Sequence, residues 1–127
     1  MNVTGTSTNV IERLIIDYES AISRIILQCL LEIPIGLGVK RFMLVLKGNN
    51  SPFILKYKLD KLKTYAMLTN FSEEHLRIII DSITNKGFIK SEYISQYDGS
   101  NLKLTEKGKV FLNIDNNSPI GFIKKII

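Results

Sequence analysis

The stretch Lys47-Gly48-Asn49-Asn50-Ser51 carries the densest chemistry in the chain. It joins a cation, three short hydrogen-bonding side chains and a glycine that lets backbone amides come close to a ligand, which is what gripping phosphate oxygens requires. Lys56, Lys58, Lys61 and Lys63 extend it. Residues 40–63 hold seven basic residues against Asp60 alone, a net of +6, whereas residues 1–33 set Arg13 and Arg24 against Glu12, Asp17, Glu19 and Glu32, a net of −2. A run of lysines is most often a solvated helix face. Here one segment exceeds the +5 of the whole chain, and that concentration favours a phosphate-binding surface.

Enzymatic chemistry is hard to assemble. His75 is the only histidine; with no nucleophile beside it and no paired carboxylates in an apolar setting, it reads as a first-turn helix residue rather than an acid or base. Cys29 is the only cysteine, which excludes a disulfide framework and a Cys-rich zinc site and points to a reducing, intracellular setting, in cytoplasm, nucleoid or nucleus. It falls on an apolar helical stripe, as a buried thiol does. No GxxxxGK[ST] loop is present, so ATP cannot be bound and hydrolysed by that route. The expectation is no catalytic residue, no metal and no cofactor, hence no enzyme on this chain alone. No signal peptide is visible, and Glu32 and Pro34 break the apolar run Ile25–Val39 well short of the ~20 residues that span a bilayer.

The elements that must position these residues can be read from periodicity. At 127 residues and 45% hydrophobic content the chain fits one core and one domain. Val10, Ile11, Leu14 and Ile15 begin a helical pattern that Asp17–Ser20 is expected to interrupt. Ile22, Ile25, Ile26, Cys29 and Leu30 then form a broad apolar face, closed by Pro34, Gly36 and Gly38. Phe42–Leu46 reads as a short strand or a last turn of helix, and Lys58–Ala66 as a short amphipathic basic helix. Phe71-Ser72-Glu73-Glu74-His75-Leu76 is a helix start, with Ser72 as cap, Phe71 as staple and two carboxylates on the positive end of the dipole. Leu76, Ile79, Ile80 and Ile83 are its buried stripe, and Gly87 ends it. Phe88–Gln96 and Asn101–Leu104 alternate as half-buried strands, and Asp98-Gly99 is the signal for a tight hairpin turn with Tyr97 at the tip. Thr105 opens a last short helix with Val110, Phe111 and Ile114, and IGFIKKII forms an apolar-basic tail.

Helix, short strand, helix, helix, hairpin is the order of an α+β winged helix with a two- to three-stranded wing. Over roughly Asp17 to Leu112 the residues resemble the RQC domain of RecQ-family DNA helicases: IDYESAISRIILQC as the first helix, FMLVLKGNNS as the family's strand and Arg-Gly-Ser loop, DKLKTYAM as the second helix, FSEEHL as the third, and GFI with LKLTEKG as the wing. Lys47 stands where the family has arginine, Asn49 where serine is frequent, and Leu76 where a tryptophan is common. The zinc-binding cysteines that precede this domain in many bacterial RecQ proteins are absent. The chain is therefore either the carboxy-terminal portion of a helicase or a free-standing DNA-binding module. Expected limits are a leader or extra helix over 1–16, the winged helix over 17–114 and a tail over 115–127.

The resemblance implies a module that binds duplex, forked or branched DNA through its backbone and aids strand separation with its wing, beside a helicase motor in the same or another chain. Candidate contacts are Lys47, Asn49, Ser51, Lys58, Lys61, Lys63, Arg77 and, on the wing, Tyr97 and Lys103. Tyr97 has the planar ring needed to stack on a terminal base pair. Glu73 and Glu74 at the start of the third helix would face phosphates if that helix entered the major groove, so it reads as a support rather than a base reader. The alternatives are a dimeric winged-helix regulator pairing through residues 10–33, and a winged helix used only for protein contacts.

Overall fold

A 30-residue helix, α1 (Val3–Glu32), forms the spine of the computed structural model, which describes residues 3–94, 99–113 and 120–127, with side chains from residue 10 onward except those of 93, 94 and 99. The expected break at Asp17–Ser20 does not occur. No glycine or proline lies there, and Glu19 and Ser20 turn to the buried side of the helix. Ile22, Ile26, Leu27 and Cys29 carry the core face onward, and Pro34 stops the helix.

Phe42–Leu46 is helical rather than extended. It lies in α2 (Val39–Lys47), because Phe42, Met43, Val45 and Leu46 are all buried, a spacing no strand can present to one core. Gly48 ends α2 in the left-handed region at φ 84°, its N–H bonded to Leu44 O and that of Asn49 to the same carbonyl at 2.9 Å. This is the glycine stop of a helix C-terminus. A five-residue α3 (Pro52–Lys56) follows.

The basic helix expected over Lys58–Ala66 is reduced to a single 3₁₀ turn, Leu59–Lys61. Lys58 before it takes φ 57°, and Leu62 after it is extended. The backbone beyond is drawn instead to the end of α2, where Ala66 N–H donates to Val45 O at 3.0 Å and Leu68 N–H to Leu46 O at 2.9 Å. Those carbonyls belong to the last turn of α2 and lack partners within it.

α4 (Glu73–Asn85) follows the sequence reading closely. Ser72 Oγ accepts the His75 N–H at 3.0 Å, Leu76, Ile79, Ile80 and Ile83 are buried, and Gly87 takes φ 87° past the end. β1 (Ile89–Ile94) and β2 (Gly99–Leu104) pair antiparallel from Ile89 opposite Leu104 to Ile94 opposite Gly99. Gly99 thus belongs to the ladder, and the turn expected at Asp98-Gly99 otherwise falls on residues 95–98, outside the described residues. The third strand of the wing reduces to one bond, Leu102 N–H to Leu37 O at 2.9 Å. α5 (Glu106–Asn113) packs on α1. Thr105 caps it, donating to Gly87 O and accepting from Gly108 N–H. Ile114 lies outside the described residues.

The IGFIKKII segment is built into the core. Ile120 and Phe122 are buried, and α6 (Ile123–Ile126) packs on α4. Helices α1–α5, a hairpin and a returning tail that carries α6 pack around one core and make an α+β winged helix.

Candidate nucleic-acid interface

The loop joining α2 to α3 is held from several sides. Gly48 is needed there for its φ and for room, since a Cβ would sit 2.6 Å from that of Ala66. Asn49 Oδ1 accepts the Ser51 N–H at 2.8 Å and also the Ser51 hydroxyl, a local turn closed by the side chain. Tyr65 Oη donates to Asn49 O at 2.8 Å, and Thr69 Oγ1 lies 3.1 Å from Lys47 O. Sequence reasoning missed Tyr65 and Thr69. Nothing in their spacing relates them to residues 16 and 22 positions earlier.

Lys47 is half-buried and donates to Phe71 O at 2.9 Å, which ties the loop to the turn before α4. An ammonium has three N–H groups, so two remain for an anion. Asn49 is exposed and its amide N–H groups have no partner among the described residues, whereas the Ser51 hydroxyl hydrogen is taken by Asn49. Lys47, Asn49 and Ser51 therefore form one unit. Beside it, Glu73 and Glu74 are exposed in the first turn of α4.

The other predicted contacts are distributed more widely. Lys58 precedes the 3₁₀ turn and Lys61 ends it; Lys61 is exposed, with Asp60 at 3.9 Å. Lys63 lines a cleft of about 430 Å³ with Arg24, Gln28, Glu32, Thr64 and Met67. Glu32 there accepts from the Thr64 hydroxyl at 2.9 Å and from Gln28 Nε2 at 3.1 Å. Arg77 is exposed on α4, with Asp81 at 3.9 Å. Burial pushes the Cys29 thiol up to about 11, as befits a core side chain rather than a nucleophile.

On the wing, Lys103 is directly opposite Lys90, and both are exposed. Lys90 went unnoticed in the sequence because only the register makes it a neighbour of Lys103. Two like charges facing each other across a ladder repel, and an anion laid across them removes that cost. Tyr97 lies outside the described residues.

The RQC domain family model matches residues 15–124 of the 127-residue chain. The chain belongs to the RQC domain family. No curated protein matches it significantly. An RQC domain is the non-catalytic, DNA-binding winged helix of RecQ-type helicases. The loop that the resemblance aligned with the family's Arg-Gly-Ser element is thus preceded in this RQC domain by a helix, α2, where a strand was expected. Among the described residues, no helix is long and apolar enough to cross a membrane.

Proposed function

We propose that this RQC domain holds duplex or branched DNA by its phosphate backbone, with the Lys47–Ser51 loop as the principal grip. It would serve strand separation by a RecQ-type motor carried on the same or another chain. The observation that supports this reading best is the loop itself. Its backbone is held by the Gly48 turn and by the Tyr65 hydroxyl before any ligand arrives, and Lys47 and Asn49 keep N–H donors free for one. Preorganised donors lose little entropy on meeting a phosphate. Exposed carboxylates at the start of α4 oppose insertion of that helix into the major groove, so the grip is blind to sequence. Lys58, Lys61, Lys63 and Arg77 add long-range attraction more than fixed contacts, since two of them already have a carboxylate 3.9 Å away.

The wing is assigned to the duplex end. Lys90 and Lys103 would lie along a phosphate strand, and Tyr97, in the connection between the strands, would stack on the last base pair. Base–aromatic stacking is worth about 1–3 kcal/mol per base.

Affinities for blunt duplex, forked duplex and single strand at several salt concentrations test the proposal. With three to five phosphates contacted, log K should fall against log salt with a slope of about −3 to −4.5. A flat response overturns the electrostatic grip. Tyr97→Ala should leave the affinity for continuous duplex unchanged and weaken binding to a fork; equal fork affinity of variant and parent overturns the role of the wing.

A further inference from the structure

The first half of α1 leaves an apolar stripe uncovered. Val10, Ile11, Leu14, Ile15 and Tyr18 are 54, 58, 62, 37 and 46% exposed, and at about 100° per residue they fall within one arc of the helix surface. Ile11, Leu14, Tyr18 and the exposed Ala21 follow each other at the 3-4-3 spacing of a helix–helix seam. Together the five side chains leave about 500 Å² uncovered, near the upper end of the largest patch on an ordinary monomer.

We propose that this stripe is the pairing surface of a homodimer in which α1 packs antiparallel against α1 of a second copy. Both the area and the charges on its flanks support a second copy as the occupant. Two such stripes, with the polar groups beside them, reach the ~1,200 Å² at which specific interfaces begin. Arg13 and Asp17 lie on the same flank of the seam, four residues apart. A two-fold antiparallel pairing brings like flanks together, so Arg13 of each copy meets Asp17 of the other. A parallel pairing would set that flank against the one carrying Ile15 and give neither charge a partner on the other copy. A partner of uniform charge would satisfy only one of them. The inference stands apart from the DNA-binding reading, because no residue of the Lys47–Ser51 loop or the wing takes part.

Sedimentation of the full chain over about 1–200 µM measures it, a range that covers association at the weak end of specific interfaces. A reversible monomer–dimer equilibrium is expected. Leu14→Glu should raise the dissociation constant ~100-fold or more, because two carboxylates then enter one apolar seam, and Ile11→Lys should act alike. Arg13→Asp and Asp17→Arg should each raise it by up to about tenfold, and the double variant should return it to within about twofold of the parent. Circular dichroism recorded at a concentration where the protein is monomeric separates loss of helix from loss of pairing. A parent that stays monomeric at the highest concentration overturns the proposal, as does a Leu14→Glu variant that pairs as the parent does. Single charge variants without effect overturn the antiparallel arrangement.

Discussion

Glu19 ties the two ends of this chain together, and replacing it should detach the carboxy-terminal segment. Its side chain is 1% exposed. Oε1 accepts the N–H groups of Ile120 at 3.2 Å and Gly121 at 3.0 Å, and Oε2 accepts that of Ile123 at 2.9 Å. One carboxylate thus closes the start of α6 from a position about a hundred residues earlier and seats Ile120 and Phe122 in the core. Glu19→Gln keeps the shape but turns an NH₂ group toward one of these donors. At least one hydrogen bond to a charged acceptor is lost, and a donor is left facing a donor, for a cost of about 2–3 kcal/mol. Glu19→Ala strands all three amides and should cost about 3–5 kcal/mol, as breaking a buried charged network does. Denaturant unfolding gives the total, and amide exchange at Ile120, Gly121 and Ile123 shows where it falls. Removing residues 120–127 should reverse the sign: with no N–H groups left to satisfy, the Glu19 carboxylate becomes the liability and Glu19→Gln becomes neutral or stabilising. A Glu19→Gln protein with parental stability and parental exchange at these amides would refute the reasoning.

Gly108→Ala would place a Cβ 2.3 Å from Phe88 O and 2.7 Å from Leu104 Cδ1, so the wing should be forced off α5 at a cost of about 1–3 kcal/mol, read by denaturant unfolding. Lys103→Glu should raise stability by about 0.2–1 kcal/mol by ending the repulsion from Lys90, while weakening DNA binding and making the salt slope shallower by about one; a variant that loses stability, or keeps its DNA affinity, contradicts the role given to this pair. The Cys29 thiol ionises at about 11 when folded against 9.0 for the free group. The folded state therefore keeps its proton where the unfolded chain has lost it, and stability should be full below pH 9 and fall by about 2–3 kcal/mol as pH rises from 9 to 11. Cys29→Ala should flatten that part of the curve, measured by urea unfolding at each pH. Equal slopes for variant and parent count against burial of the thiol.

What the sequence revealed is what neighbours along the chain decide. Ser72 and Gly87 mark α4 because a capping hydroxyl and a left-handed glycine act within one turn, and Thr105 signals α5 because its hydroxyl caps that helix in the same way. α2 was also legible in principle: Val39, Phe42, Met43 and Leu46 stand at i, i+3, i+4 and i+7, but a window opening at Phe42 leaves only a short apolar run, which periodicity alone cannot assign. The basic helix over 58–66 failed for a different reason. Lysines at helical spacing were real, yet the carbonyls of Val45 and Leu46 offered that backbone partners that a helix would have forgone. Tyr65, Glu19 and Lys90 matter through residues distant in sequence, and no local pattern announces them. The loop at 47–51 could be located from its residue types, but its rigidity could not.

That rigidity governs how the site should be dissected. Lys47 serves the fold through Phe71 O and is also the cation assigned to the phosphate, so Lys47→Ala removes both and a weaker complex would not say which was lost. Ser51 has the same difficulty, because its hydroxyl closes the turn with Asn49. Asn49→Asp separates the two roles. The acceptor oxygen that holds Ser51 is retained, so the loop keeps its shape, while the amide donors give way to a negative charge aimed at a phosphate. Stability should stay within about 0.5 kcal/mol of the parent, as for an exposed substitution, and duplex affinity should fall for every sequence alike. Loss of affinity at one site only would mean that the loop reads bases. Unchanged affinity at all sites would mean that the grip lies elsewhere on the basic segment, with Lys58, Lys61 and Lys63 as its remaining cations.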